Sequence, residues 1–73
     1  ITDADGTWKS VTTAADEIWY CHTGSVLVDT DATEAERAGI LLSPEKSVPF
    51  TSGKTVYYRL ASGTVALVAR VAN

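Results

Sequence analysis

The sequence predicts a small all-β domain, and a repeated turn pattern is the first reason. Three tetrapeptides place a small polar residue directly before a glycine, and each lies between runs of β-prone residues. They are His22-Thr23-Gly24-Ser25, Thr51-Ser52-Gly53-Lys54 and Ala61-Ser62-Gly63-Thr64. Glycine accepts the positive φ that closes a hairpin. Three such turns at short spacing predict antiparallel hairpins over most of the chain.

The size of the chain is the second observation. Seventy-three residues make one domain, and a domain this small buries only about 60% of the surface of its unfolded chain. It needs reinforcement by a disulfide, a metal or a partner. One Cys cannot form an internal disulfide, and one Cys with one His is a poor zinc set. The 45% apolar content favours association, so we expect a homo-oligomer.

Charge and the length of the apolar runs exclude two classes of partner. The net charge is −3, and the six basic residues are scattered without a cluster. Binding of nucleic acid through a phosphate-tracking patch is therefore not expected. No run approaches the roughly 18 apolar residues of a membrane span, so we expect no membrane insertion.

The first elements are an arm and a short strand. Residues 1–6 are acidic and small, which predicts a flexible N-terminal arm, and residues 7–73 then form a single β domain. A first strand is predicted over residues 7–11, with Trp8 as its anchor.

An aromatic hairpin is predicted next. The β-formers Ile18, Trp19 and Tyr20 lie in a strand over residues 17–22. Residues 25–29 return as the hairpin partner of this strand. Alternation places Trp19 on the face opposite Ile18 and Tyr20.

The centre of the chain departs from the β pattern. Residues 29–38 are polar, and Thr33 and Glu36 fit a capping box. Gly39 follows at the position where a glycine ends a helix. We expect one short helical turn over residues 34–38, crossing between two sheets.

Two short strands and a long hairpin complete the chain. The strands cover residues 40–42 and 47–50, and Pro49 suits an edge position because proline lacks a ladder donor. Residues 55–60 and 64–71 form the strongest hairpin. Its second strand is apolar on both faces, so it is either central or covered by another subunit. Seven short strands predict a small antiparallel β-sandwich or a flattened barrel.

Residues with catalytic or metal-binding potential are few. Cys21 and His22 are the one nucleophile and base pair by composition, but neighbours in a strand point to opposite faces. The acidic stretch 29–34 resembles the opening of a calcium loop. It has Glu34 where that loop needs glycine and Ile40 where it needs a bidentate Glu. We expect no enzyme activity, no catalytic residue, no metal and no cofactor.

The order of short motifs resembles a known group of proteins. After the Trp-bearing first strand come Thr23-Gly24, Val26-Leu27-Val28, Gly39-Ile40-Leu41-Leu42, Pro49-Phe50, Gly53, Val56-Tyr57-Tyr58-Arg59, Ser62-Gly63 and Ala66-Leu67-Val68. This order resembles the small β-sandwich virion proteins of tailed bacteriophages and related gene-transfer particles. That group includes head decoration, head-fibre or spike, and adaptor proteins.

The resemblance implies a structural role in an extracellular particle. It implies a subunit, made in the host cytoplasm, that decorates the capsid or forms a head fibre or spike. Such a subunit self-associates and docks on the major capsid protein or another virion protein. A tail or neck component is one alternative.

The aromatic residues leave a second alternative open, a module that binds host surface glycans. An outward Tyr or Trp can stack on a sugar ring or fill a pocket on a partner protein. The residues predicted to combine core and interface roles are Trp8, Tyr57, Tyr58, Val65, Leu67 and Val68.

Overall fold

The computed structural model describes residues 1–72, which contain five strands and one 3₁₀ helix. The strands are β1 (Lys9–Thr12), β2 (Glu17–Asp29), β3 (Ile40–Leu42), β4 (Ser47–Phe50) and β5 (Thr55–Ala72). The prediction of a small all-β fold is confirmed, with five strands instead of seven within the described residues. The end of the predicted domain at residue 73 lies outside them.

Two of the three predicted hairpins are single continuous strands, so that part of the prediction is wrong. β2 runs through Gly24 and β5 runs through Gly63. Both glycines have positive φ, +73° and +76°, but this conformation bends each strand and does not reverse it. The third turn, at Gly53, connects β4 to β5, which do not pair in the described sheet.

The strands form one antiparallel sheet with β2 at its centre. The order is β1-β5-β2-β3, and β4 also pairs with β2. β5 pairs with β2 along one edge, from Glu17↔Ala72 to Asp29↔Tyr57. On the other edge β3 pairs with residues 26–28 and β4 with residues 17–20. Every pairing therefore involves β2 or β5.

The sheet is folded back on itself. Straight strands of 13 residues (β2) and 18 residues (β5) would span about 43 Å and about 59 Å. The longest dimension of the molecule is 29 Å. The rings of Trp19 and Tyr58 lie 6.1 Å apart, although Tyr58 pairs with Val28, about 30 Å from Trp19 along a straight strand.

The sheet folds back on itself at residues 22–25, 43–46 and 61–66, and we call this region the bend. Register shifts between β2 and β5 fall within it. Gly24 lies at its tightest point, because a Cβ atom there would be 2.4 Å from the Val65 carbonyl oxygen and 2.8 Å from Ala66 Cα. Only a residue without a side chain permits this approach. The bend therefore depends on Gly24.

The bend divides the sheet into two layers that pack as a sandwich. Layer A contains β1, β3, residues 26–29 of β2 and residues 55–60 of β5. Layer B contains β4, residues 17–21 of β2 and residues 67–72 of β5. The buried side chains between the layers come from both layers and, for Ala66, from the bend: Trp19, Cys21, Val26, Val28, Leu42, Val56, Tyr58, Ala66 and Val68.

Trp19 organises this core. Its side chain is fully buried and meets the ring of Phe50 edge-on, with centroids 5.1 Å apart. Its indole Nε1 donates to Glu17 Oε1 at 3.1 Å. Arg70 donates to the same carboxylate through two nitrogens, at 2.8 and 2.9 Å. The polar edge of the Trp is therefore satisfied at the rim of the core.

Residues 1–5 lie against the sheet. Val68 N donates to Ile1 O at 3.0 Å and Leu60 N donates to Asp5 O at 2.8 Å. Ala4 is buried, and the Tyr58 hydroxyl donates to Asp3 Oδ1 at 2.9 Å. The flexibility expected for the arm stays a prediction, and these contacts make it testable.

The predicted helical turn is shorter than expected and lies elsewhere in the topology. A 3₁₀ helix covers Glu34–Glu36, and Thr33 makes no side-chain capping bond. Instead, Thr33 N donates to Asp31 Oδ1 at 2.9 Å. This local Asx turn competes with the capping box. The segment connects β2 to β3, which are neighbours in one sheet and not in separate sheets.

Candidate interaction surfaces

A row of exposed apolar side chains on β5 begins in the bend and continues along the outer side of layer B. Val65, Leu67 and Val71 are 69%, 41% and 55% exposed. Ala66 and Val68, between them, are 2% and 1% exposed and lie in the core. The apolar character of both faces of this strand, evident in the sequence, therefore corresponds to one buried and one exposed face.

Neighbouring strands extend this row sideways. Ile18 lies opposite Val71, Tyr20 lies opposite Ala69, and Pro49 lies opposite Ile18. Directly paired residues share a face of the sheet. We call this surface the apolar face, defined by Ile18, Tyr20, Pro49, Val65, Leu67, Ala69 and Val71.

The apolar face contains no charged residue, and its border is polar. Ser47 pairs with Tyr20, and the His22 ring packs edge-on against the Tyr20 ring at a centroid distance of 4.8 Å. An apolar surface with a polar border is typical of a protein contact site.

The outer side of layer A carries a different arrangement, two arginines on two aromatic rings. Arg37 Cζ lies 3.6 Å from the centroid of the Tyr57 ring and 5.4 Å from that of Trp8. Arg59 Cζ lies 5.6 Å from the Trp8 centroid. We call Trp8, Arg37, Tyr57 and Arg59 the arginine–aromatic cluster.

The connection between β2 and β3 delivers Arg37 to this cluster. Asp29 holds both ends of the connection, since its carboxylate accepts hydrogen bonds from Asp31 N at 2.9 Å and from Gly39 N at 3.0 Å. These backbone donors are the main reason that the pKa of Asp29 lies below its usual value; the charge of Arg37 lowers it further. Arg37 itself donates from Nε to Asp31 O at 2.7 Å. The ring stack and these bonds fix the guanidinium over Tyr57.

Neither arginine of the cluster has a carboxylate partner in the described part of the chain. The ion pairs found among residues 1–72 join Lys9 to the N-terminal acids and Arg70 to Glu17. The Nε of Arg59 is buried and has no hydrogen-bond partner among these residues. The two guanidinium charges of the cluster are therefore balanced only by aromatic faces, carbonyl dipoles and more distant acids.

The six residues predicted to combine core and interface roles lie in three different places. Tyr58 and Val68 are core residues, 6% and 1% exposed. Val65 and Leu67 lie on the apolar face, and Trp8 and Tyr57 in the arginine–aromatic cluster. An interface role for the exposed members stays a prediction.

Sequence reasoning missed seven residues of these surfaces: Ile18, Tyr20, Arg37, Pro49, Arg59, Ala69 and Val71. The alternation of the aromatic strand and of the last strand contained the signal for Ile18 and Val71. Nothing local marked Arg37, because its ring partner is 20 residues away in β5.

Cys21 and His22 lie apart, as strand geometry predicted. Cys21 is fully buried, and burial raises the pKa of its thiol. Its Sγ lies 3.4 Å from the carbonyl oxygens of Thr23 and Gly24. His22 is exposed on the other face.

Residues 1–72 form no pocket and no group of three or more His, Cys, Asp or Glu side chains placed to hold a metal ion. The same residues include no helix that is long and apolar enough to cross a membrane.

No protein-family model, curated protein or solved structure matches the chain. The classification therefore rests on strand pairing and burial alone. By these the chain is a small all-β domain, in which one bent antiparallel sheet forms both layers of a sandwich.

Proposed function

We propose that this protein is a structural subunit that acts by associating through its apolar face. The supporting observation is the 41–69% exposure of Val65, Leu67 and Val71 beside further apolar residues of β2 and β4. Covering such a face is favourable by roughly 25 cal/mol per Å² of apolar area. A soluble monomer rarely leaves a large contiguous apolar patch open to water.

The proposed occupant of the apolar face is a second copy of the chain. A face without charged residues can meet its own copy across a two-fold axis without burying an unpaired charge. The small size of the domain favours the same solution, because a core between two short layers supplies limited stability.

The proposed setting is a phage-like virion, with the subunit decorating the capsid or forming a head fibre or spike. The resemblance in motif order supports this setting. A symmetric shell also presents many copies of one docking site, so that weak contacts add up through avidity. Tail or neck placement is the alternative position within the same particle.

We propose association, not catalysis, as the activity. The nucleophile with most catalytic potential, Cys21, is fully buried with a raised thiol pKa, whereas reactive cysteines are exposed thiolates of lowered pKa.

The first experiment measures native mass by light scattering across a concentration series. We expect a defined oligomer for the wild type and a monomer for Val71→Glu, which places a charge in the apolar face. Ile40→Glu is the matched control, because Ile40 is also β-branched, also in a strand and 59% exposed against 55% for Val71. A monomeric wild type, or equal effects of both variants, would refute association through this face.

The virion setting needs its own test. Phage heads lacking the subunit are sedimented with the wild type and with Val71→Glu. Co-sedimentation of the wild type at a stoichiometry that follows the shell symmetry is the expected result. An oligomer that stays in the supernatant would exclude the shell as its partner and leave self-association standing.

A further inference from the structure

We propose that the arginine–aromatic cluster is a second docking site, which binds a carboxylate-rich extended segment of a partner protein. The cluster lies on layer A, away from the apolar face on layer B. This inference therefore does not depend on the proposed self-association, and the two can fail separately.

The composition of the cluster is the first argument. Trp, Tyr and Arg are the residue types that dominate binding energy at protein interfaces, where they occur in clusters. Here two aromatic rings and two guanidinium groups share one surface. Each of the four side chains is partly buried, so the surface can be covered by a partner without first ordering four mobile side chains.

Free donors in a fixed orientation are the second argument. A guanidinium has five N–H donors. Arg37 uses two nitrogens on the carbonyl oxygens of its own loop, Asp31 O at 2.7 Å and Ala32 O at 3.0 Å. Those bonds and the Tyr57 ring fix the plane of the guanidinium while other N–H groups stay available. Arg59 donates no side-chain hydrogen bond to any of the described residues.

Charge is the third argument and names the ligand. Planar guanidinium groups recognise carboxylates by paired, charge-assisted hydrogen bonds. The charge of Arg37 helps to lower the pKa of Asp29, but the Asp29 carboxylate accepts hydrogen bonds from two backbone N–H groups and forms no ion pair with Arg37 among the described residues. Two guanidinium groups without an ion-pair partner in a chain of net charge −3 are therefore complementary to acid groups brought by another molecule.

The spacing of the arginines favours an extended peptide. Both Cζ atoms are measured from the Trp8 centroid, at 5.4 and 5.6 Å, so they are at most about 11 Å apart. Same-face side chains of an extended strand repeat every two residues, or about 7 Å. Acidic residues at alternate positions of a strand can therefore approach both guanidinium groups.

The test uses poly-L-glutamate as the probe, titrated calorimetrically at low ionic strength. The net charge of the protein repels any polyanion, so binding requires a local site. We expect the wild type to bind poly-L-glutamate. Arg59→Gln and Arg37→Gln should each raise Kd about tenfold, because one charge-assisted contact is lost. Lys54→Gln is the matched control: it removes the same charge from an exposed side chain elsewhere and should change Kd less than twofold.

Two further measurements complete the test. Arg59→Lys keeps the charge without the planar fork and should bind about as weakly as Arg59→Gln. Thermal unfolding of each variant shows that it is folded, and the cluster is tested independently at two positions. Absence of wild-type binding, or equal weakening by Lys54→Gln and Arg59→Gln, would overturn the proposal. Tighter binding of polygalacturonate than of poly-L-glutamate would also overturn it, by assigning the cluster to acidic glycans.

Discussion

Replacing Gly24 by alanine isolates the contribution of the bend to stability. Gly24 has φ +73°, and an added Cβ atom would meet Val65 O at 2.4 Å and Ala66 Cα at 2.8 Å. Both neighbours are backbone atoms, so they move only if β5 moves. The substitution therefore combines left-handed strain with a forced separation of two paired strands.

The expected cost can be worked out with a matched variant. Gly63 has φ +76° and open space around the position of its missing Cβ, so Gly63→Ala has the strain alone, about 1 kcal/mol. Gly24→Ala adds an overpacking cost of about 2–3 kcal/mol, for a total of about 3–4 kcal/mol. A domain of 73 residues has a free energy of unfolding of roughly 4–11 kcal/mol. Gly24→Ala should therefore remove a large part of it.

Urea unfolding followed by tryptophan fluorescence measures both variants, since Trp19 is fully buried. In thermal unfolding we expect Tm to fall by roughly 4–8 °C for Gly63→Ala and by more than roughly 12 °C for Gly24→Ala. The entropy that alanine removes from the unfolded chain is the same at both positions and cancels in the difference. Free energies of unfolding that agree within about 0.5 kcal/mol would refute the close contact at the bend.

Three other expectations concern the core and its rim. The hydrogen bonds from Arg70 are the main cause of the lowered pKa of Glu17. A carboxyl group whose pKa is lower in the folded than in the unfolded state stabilises the fold at pH values above its unfolded-state pKa. This contribution to stability is lost as pH falls through the folded-state pKa. Stability should therefore decline below about pH 4.5, the ordinary value for Glu, and Glu17→Gln should flatten that decline in an acid titration followed by circular dichroism. Tyr58→Phe removes the hydroxyl bond to the N-terminal segment and should cost about 1 kcal/mol, with faster hydrogen exchange at the Leu60 amide. The Tyr57 hydroxyl makes no hydrogen bond among the described residues, so Tyr57→Phe should change neither the free energy of unfolding nor hydrogen exchange at Leu60. Equal effects of Tyr57→Phe and Tyr58→Phe would contradict a docked N-terminal segment. The buried thiol of Cys21 should resist iodoacetamide at pH 8 and react only in denaturant, and rapid native labelling would show that the core is open.

The fold class followed from local signals, and the connectivity did not. β-branched and aromatic residues in alternation marked nearly all of β2 and β5. A small polar residue before a glycine marks a positive φ, and both Gly24 and Gly63 have one. Positive φ serves a reversing turn and a bent strand equally well. Pairing between residues that are 28 (Asp29↔Tyr57) to 55 (Glu17↔Ala72) positions apart decides between them, and that pairing has no local signature.

The candidate surfaces divide in the same way. The apolar face could be anticipated, because β5 is apolar at both alternating positions and a strand has only two faces. The arginine–aromatic cluster could not, since Arg37 reaches Tyr57 only after Asp29 has closed the connection between β2 and β3. The acidic and polar character of the loop is evident in the sequence. Its position over Tyr57 depends on Arg37, the one cationic residue within residues 30–39.

The pairing of β5 has a consequence for synthesis of the protein. β1 and β2 both use β5 as a partner, and Glu17 pairs with Ala72. On the ribosome β1 has no paired strand until residue 58 has emerged from the exit tunnel, and the pairing of β2 with β5 is complete only when residue 72 has emerged. In nascent chains that stop earlier, β2 can pair with β3 and β4, but its β5 edge stays open and its core side chains lack the β5 side of the core, a state prone to aggregation. Folding of this domain during translation is therefore close to all-or-none. A chain truncated within β5 is expected to be degraded and not to form a smaller stable domain.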